Sequence, residues 1–226
     1  MTYWPETAVK GNMDIDNQVI AKNYIDGVTA ALADIDTSAV IGIYEKIAAV
    51  AASGGRIYLC GNGGSASTAS HFQNDLNKAF SVTRGIMPAC CLADNLSAVT
   101  AISNDISYSD VFLYQLRFML RKQDLLVVIS GSGNSANVVK AAEYARSLGC
   151  PVISLTGFDG GRLLPLSDFS FHAPVNNMQI SEDLHLMCCH LVATMILKTG
   201  PRSGAGRSMK PDDHAAMLPE EGLSHA

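Results

Sequence analysis

A short apolar segment that runs directly into glycine and hydroxyl residues constrains the fold of this chain more than any other feature. Ile57–Cys60 is typical of a buried strand, and the next residues, Gly61-Asn-Gly-Gly-Ser65, open a helical pattern. Glycines let the backbone turn tightly and direct several N–H groups at one anion, and the positive end of the helix adds to this attraction. The sequence therefore predicts a strand, an anion-binding loop and a helix in succession.

Strand and helix patterns alternate along the rest of the chain. Further strands are predicted at 87–92, 125–129, 152–155 and 169–173, and helices at 17–52 (two helices), 65–80, 111–120, 135–148 and 182–197, with 96–102 helical or irregular. Such alternation predicts a parallel sheet that is covered by helices on both faces.

Composition indicates one compact domain without a nucleic-acid or membrane partner. The 226 residues are 48% hydrophobic and 16% charged, with a net charge of −5 and no basic run. No apolar run approaches the roughly 18–20 residues of a membrane span, and no signal peptide is visible. The six cysteines lie in apolar segments without a Cys-x-x-Cys, which favours buried thiols and a cytoplasmic location. We expect an N-terminal arm at 1–16, one domain at 17–199 and a disordered tail at 200–226.

The first loop has an internal counterpart. Gly61-Asn-Gly-Gly-Ser-Ala66 and Gly131-Ser-Gly-Asn-Ser-Ala136 each follow an apolar strand and open a helix. In an open α/β sheet such loops converge at the carboxyl ends of the strands. The three serines of Ser130-Gly-Ser-Gly-Asn-Ser135 predict a phosphate site, although an ordinary serine-capped turn is the alternative.

Nucleotide binding is a weaker interpretation of the same loops. The dinucleotide fingerprint places an acidic residue about 20 positions further on, whereas Asp94 lies 28 residues beyond Ala66. The absence of Gly-Lys-Ser/Thr also excludes a P-loop.

Histidines and carboxylates form two further candidate groups. His71 and Asp75 lie one helical turn apart beside the first loop. Glu182, His185 and His190 lie on a late apolar helix, where polar side chains need partners. A straight helix places Glu182 and His190 about 12 Å apart along its axis. They can share one ion only if Glu182 lies at a frayed helix start or if more than one subunit contributes; buried hydrogen-bonded pairs without an ion are the alternative.

These residues resemble the sugar isomerase (SIS) domain family and, within it, the phosphoheptose isomerase family, over about residues 17–197. The matching motifs are Cys-Gly-Asn-Gly-Gly-Ser, His-Phe-x-x-acidic-Leu, Ser-Asn-Asp, Ser-Gly-Asn-Ser-Ala-Asn-Val, Ser-Leu-Thr-Gly and His-Leu-x-x-x-His. The resemblance implies a flavodoxin-like three-layer αβα sandwich with a five-stranded parallel sheet and added N-terminal helices. It also implies a zinc-binding homotetramer with active sites between subunits, which interconverts sedoheptulose 7-phosphate and D-glycero-D-manno-heptose 7-phosphate.

The resemblance assigns roles to individual positions of this chain. It implies that Asp75 and His190 are the acid/base pair. The implied metal ligands are His71, Asp75, Glu182 and His190. The implied substrate contacts are Asn62, Gly63, Gly64, Ser65, Asp75, Asn104, Asp105, Ser130, Gly131, Ser132, Ser135 and Glu182.

Four positions depart from the family pattern. The family usually has Glu at Asp75, Gln at Glu182, a hydroxyl residue at Gly131 and Arg at Ala79. A shorter carboxylate reaches a substrate carbon less well, and the extra charge of Glu182 suits a divalent cation. These departures motivate a competing hypothesis, a non-catalytic SIS module that binds a phosphosugar or scaffolds other proteins. Two anion loops combined with carboxylate–imidazole pairs favour the isomerase, because moving a proton through an enediol needs both a base and an acid.

Overall fold

The computed structural model describes residues 16–201, which form two compact units that divide between Ile35 and Asp36. The first unit contains helix α1, Asn17–Ala33, whose start is capped by Asp16 through the Gln18 N–H at 2.8 Å. The predicted arm and tail lie outside the described residues, apart from a residue or two at their inner ends. The single domain predicted at 17–199 stays a prediction.

The second unit contains a five-stranded sheet in which every paired strand is parallel to its neighbour. The strands are β1 Ile57–Cys60, β2 Ala89–Cys91, β3 Leu125–Ser130, β4 Val152–Thr156 and β5 Phe169–His172. Their order, β2-β1-β3-β4-β5, is that of flavodoxin-like folds. The predicted fold class is therefore confirmed.

Helices connect the strands and cover both faces of the sheet. They are α2 Thr37–Ala52, α3 Gly64–Arg84, α4 Leu96–Asp105, α5 Val111–Met119, α6 Ala136–Ser147 and α7 Met178–Thr199, with 3₁₀ turns at Tyr108–Asp110 and Leu164–Leu166. Tyr58, Leu126 and Val152 are in register and point to the face that α4, α5 and α6 cover. The opposite face is covered by α2, α3 and α7, and α7 contacts both α2 and α3.

Local chemistry explains where the observed elements differ from the predicted ones. Helix α3 runs four residues past its predicted end, because Gly85 takes the left-handed conformation (φ 70°) that ends helices. Strand β2 begins only after Pro88, which has no N–H to donate. Helix α7 begins at Met178 instead of Glu182, because the Asn177 side chain caps it through the Ile180 N–H at 3.1 Å.

Helix α7 is a core helix of this fold. Among residues 16–201 it is the one helix long and apolar enough to cross a bilayer on its own, although no apolar run of that length was expected. Half of its most apolar window is buried inside the domain, as in the central helix of a soluble protein.

The six cysteines are free thiols, as expected. Five are buried and Cys90 is half-buried. Burial raises the pKa of the Cys91, Cys150 and Cys188 thiols to about 12. These thiols are therefore poor nucleophiles near neutral pH.

His185 on α7 is a fully buried imidazole. Neither ring nitrogen has a hydrogen-bond partner among the described residues, and the ring meets Phe171 edge-on at 6.3 Å between centroids. Burial lowers the pKa of His185 to about 4, opposed by the nearby Thr156 carbonyl and reinforced by His172. The folded protein therefore keeps His185 neutral at a pH where an unfolded chain would protonate it.

We predict that acid destabilises this protein through His185. Between its unfolded pKa of 6.5 and its folded pKa of about 4, only the unfolded chain binds the proton. The free energy of unfolding should fall by up to about 3 kcal/mol as the pH drops through this window. Urea unfolding of wild type and His185→Leu from pH 7 to pH 4, at one protein concentration, measures the effect. In His185→Leu the free energy of unfolding should depend less on pH, whereas in Met187→Leu it should depend on pH as in wild type. An equal pH dependence in all three proteins would refute the role of His185.

Candidate active site

The first loop turns directly from β1 into α3. A side chain at Gly61 would place its Cβ 2.6 Å from the Ser65 carbonyl oxygen, and Gly63 has a φ of 53° that favours glycine. No side chain caps the start of α3, and the Ala66 and Ser67 N–H groups donate to the Gly63 carbonyl oxygen, so the N–H groups of Gly64 and Ser65 are the ones that could bind an anion. Ser65 is almost fully buried. This geometry suits an anion held by backbone N–H groups.

The second loop, residues 130–135, follows β3 and is braced by the segment after β4. The Gly133 N–H donates to the Ser130 carbonyl at 3.1 Å, and the Gly157 N–H donates to the Gly131 carbonyl at 2.8 Å. The Leu163 N–H donates to the Gly133 carbonyl at 3.0 Å. A Cβ at Gly133 would lie 2.0 Å from the Gly160 carbonyl oxygen. The loop is therefore held in one conformation by backbone contacts, which prepares it for a ligand.

A third segment adjoins the first loop. Asn104 and Asp105 end α4, are exposed, and are joined by a hydrogen bond from Asn104 Nδ2 to Asp105 Oδ1 at 2.8 Å. Three residues further on, the Tyr108 hydroxyl donates to Asn62 Oδ1 at 2.7 Å. The polar end of α4 therefore lies near the first loop, as the substrate-contact prediction requires.

Glu182 reaches the start of α3. A Cβ at Gly64 would lie 2.5 Å from both carboxylate oxygens of Glu182, so this position has no room for a side chain unless Glu182 moves. Burial, and secondarily the charge of Asp183, raises the pKa of the Glu182 carboxyl. Glu182 thus lies beside the first loop as a half-buried acid.

Two histidines and one aspartate meet further along the same two helices. The Nε2 atoms of His71 and His190 are 3.2 Å apart. Asp75 Oδ2 lies 3.3 Å from His71 Nε2 and 3.8 Å from His190 Nε2. Both histidines are about half exposed and Asp75 is less so. The structure therefore brings together three of the four residues expected to bind metal.

The donor set of this cluster fits a zinc ion. Ligand atoms about 2.0–2.2 Å from a tetrahedral zinc lie about 3.3–3.6 Å from one another, close to the separations seen here. Two Nε2 atoms that face each other cannot both carry a proton without repulsion, whereas a cation would accept both lone pairs. Imidazole and carboxylate ligands also suit zinc chemically.

Glu182 is not part of this cluster within one chain. Because α7 starts at Met178, Glu182 lies in a regular turn instead of at a frayed end. It is therefore about 12 Å from His190 along the helix axis. Of the two routes by which both could bind one ion, only a site that draws on more than one subunit remains.

Two departures from the family pattern have a structural counterpart. A Cβ at Gly131 would lie 2.4 Å from Met178 Sδ, so the first residue of α7 occupies the space beside the second loop. Ala79 is fully buried on α3, where no guanidinium could reach water. Tyr108, Asn137 and Met178 also adjoin the site; Asn137 belongs to the Ser-Gly-Asn-Ser-Ala-Asn-Val motif but was assigned no role, and no motif marks Tyr108 or Met178.

Sequence comparison assigns the chain to a known family of domains. Residues 23–157, more than half of the chain, match the family described as SIS domain. The chain belongs to the SIS domain family.

Within that family, the similar proteins are phosphoheptose isomerases. The phosphoheptose isomerase of Helicobacter pylori is 42% identical over 142 residues, which are 63% of this chain and 74% of that protein. A probable phosphoheptose isomerase of Thermoplasma acidophilum is 35% identical over 176 residues, 78% of this chain and 97% of that protein. The solved structure of a phosphoheptose isomerase from Francisella tularensis superposes with a TM-score of 0.74 at 28% identity, covering 79% of this chain and 96% of that one.

Proposed function

We propose that this chain is a phosphosugar aldose–ketose isomerase that converts sedoheptulose 7-phosphate to D-glycero-D-manno-heptose 7-phosphate. The observation that carries the proposal is the contact of Asp75 with His190, 3.8 Å apart across two helices, on an α/β fold with two anion loops. The relatives named phosphoheptose isomerase support this substrate class.

The reaction moves one hydrogen between neighbouring carbons. A base takes a proton from C1 of the ketose, and the electron pair forms the C1–C2 double bond of an enediol. A proton is then delivered to C2, while one proton is gained at O2 and one is lost from O1. A carboxylate and an imidazole in contact can perform these transfers, which typically contribute about 10²–10⁴-fold to the rate. We assign the carbon-directed base to Asp75 and the oxygen-directed acid to His190.

The loops provide orientation. The hydroxyls and backbone N–H groups of Ser130, Ser132 and Ser135 hold the phosphate, and Asn62, Asn104 and Asp105 contact the sugar. Neutral donors bind a phosphate yet let it leave, because no cation retains it. Gly63, Gly64 and Ser65, at the start of α3 beside Glu182, contact the sugar through the backbone of the first loop. Fixing both ends of the substrate converts proton transfer into an intramolecular step.

His71, Asp75 and His190 would hold a divalent ion, which we propose is zinc. When bound, such an ion polarises a carbonyl and its adjacent hydroxyl. Two neutral imidazoles and one carboxylate leave a single positive charge on the site. In a site shared between subunits, Glu182 would supply the fourth ligand, and its carboxylate would neutralise the remaining positive charge.

We predict isomerisation of sedoheptulose 7-phosphate by metal-replete protein. The aldose product should be visible by NMR, with exchange of the C1 or C2 hydrogen in deuterated water. Asp75→Asn should lower kcat by about 10²–10⁴-fold because it removes the base, and Asp75→Glu should retain activity. Tight binding of the sugar phosphate without hydrogen exchange would instead support the non-catalytic SIS module.

We predict stoichiometric zinc in purified protein. Elemental analysis should show its loss in His71→Ala and His190→Ala, because each variant removes one of the two imidazole ligands. His172→Gln is the matched control, since its Nε2 contacts the Phe158 carbonyl at 3.1 Å and not the cluster. Wild-type protein without metal, and activity that chelators do not affect, would leave Asp75 and His190 to act as a hydrogen-bonded pair alone.

We also propose a cytoplasmic homotetramer with sites between subunits. Leu191, next to His190, is 39% exposed, and Phe118 and Met87 are each 68% exposed. Of these three, only Leu191 is adjacent to the half-exposed polar cluster, through its neighbour His190, and an exposed apolar side chain there suits a subunit contact that covers the cluster. Sedimentation should give four times the chain mass of 24.0 kDa. A monomer at micromolar concentration would contradict the shared site.

A further inference from the structure

Three side chains from three different segments form a hydrogen-bond network beside the first loop. Asn62 Nδ2 donates to Asn137 Oδ1 at 2.9 Å, and Asn137 Nδ2 donates back to Asn62 Oδ1 at 2.8 Å. The Tyr108 hydroxyl donates to the same Asn62 oxygen at 2.7 Å. Asn137 is 2% exposed and Tyr108 is 54% exposed, so the network extends from the core to the surface of the site.

The backbone of α6 decides the direction of every hydrogen bond in this network. The Val138 N–H can only donate, and it donates to Asn137 Oδ1 at 2.9 Å. Asn137 must therefore present its oxygen to Asn62 Nδ2 and its amide nitrogen to Asn62 Oδ1. Because Asn62 Oδ1 can only accept, the Tyr108 hydroxyl must use its single hydrogen to donate to that oxygen. No side-chain flip can reverse this order without losing the bond to the helix.

This order fixes what the surface of the network offers to a ligand. Asn62 Nδ2 has a second N–H beyond the one that it gives to Asn137, so it presents a donor. The only hydrogen of the Tyr108 hydroxyl is already donated to Asn62, so toward a ligand the Tyr108 oxygen can only accept a hydrogen bond. A ligand group that touches Tyr108 must itself donate. A hydroxyl meets that requirement, whereas a carbonyl oxygen or an ionised phosphate oxygen does not.

Tyr108 is held in place from the other side as well. Lys140 Nζ on α6 donates to Ser109 Oγ at 2.7 Å and to Asp110 Oδ1 at 3.0 Å. These bonds fasten the 3₁₀ turn that Tyr108 begins to the same helix that carries Asn137. The donor and the acceptor are thus fixed relative to each other before a ligand arrives, which lowers the entropic cost of binding.

We propose that Asn62 and Tyr108 form a donor–acceptor pair that recognises a hydroxyl group on the carbon chain of the sugar phosphate, with Asn137 as the positioning residue behind them. This inference rests on the proposed function, since it names the hydroxyl group of the substrate that the site binds. It makes Tyr108 a specificity residue that selects hydroxylated ligands over simple anions.

Tyr108→Phe tests this pair with two probes. Calorimetry should show about tenfold weaker binding of sedoheptulose 7-phosphate, because one hydrogen bond to the ligand and one that orients Asn62 are lost. Binding of inorganic phosphate should be unchanged, since its site lies in the second loop. In steady-state kinetics KM should rise while kcat stays within about twofold, as expected for lost uniform binding. Asn137→Asp keeps the acceptor for the Val138 N–H but removes the donor to Asn62, and should give the same selective loss.

Tyr114→Phe is the matched control, because this α5 tyrosine is 40% exposed and packs on Phe118. Unchanged sugar-phosphate affinity in Tyr108→Phe, or an equal loss for both probes, overturns the proposal. If wild-type protein binds the sugar phosphate without isomerising it, the proposed function is contradicted, but the binding comparison of Tyr108→Phe with wild type still tests this pair. Wild-type protein that does not bind it overturns both.

Discussion

The side-by-side packing of α3 and α7 is the contact on which the site depends. The two helices run in the same direction, since the start of α3 meets Glu182 while Asp75, three turns later, meets His190. Phe72 and Leu76 on α3, and Cys189 and Val192 on α7, are buried on the same side of the sheet. Apolar burial of this kind, about 25 cal/mol per Å², fixes the register of the helices. Asp75 and His190 are therefore brought together by the packing of the apolar side chains on the same two helices.

This arrangement separates two kinds of chemistry by depth. Asn137, behind the first loop, is 2% exposed, so its hydrogen bonds to Asn62 are largely shielded from water and their directions are fixed. The His71–Asp75–His190 cluster lies at the surface of the single chain, where water can reach its groups. A single chain therefore combines a rigid amide network at the carboxyl ends of β1 and β3 with an exposed polar cluster on α3 and α7.

Much of the fold follows from sequence because parallel strands and helices have distinct hydrophobic periods. The flavodoxin-like architecture came from the family resemblance, whereas the alternation of strands and helices, the two glycine loops and the contact between His71 and Asp75 come from local patterns. Contacts across long sequence separations do not. Nothing near Tyr108 indicates that its hydroxyl meets Asn62, 46 residues earlier, and the buried environment of His185 depends on Phe171 from another element. The predicted start of α7 was wrong because the Asn177 cap precedes an unremarkable turn, and that error left open a frayed helix start at Glu182.

The buried thiols have a practical consequence for experiments. Alkylating and oxidising reagents attack the thiolate, and burial suppresses that form in the native cysteines, least in the half-buried Cys90. A cysteine introduced on an exposed surface would therefore react far ahead of the natural ones. Spectroscopic labels could be attached at single chosen positions of the wild-type background. The distances between such labels would then report how copies of this chain are arranged in solution, without removing any native cysteine.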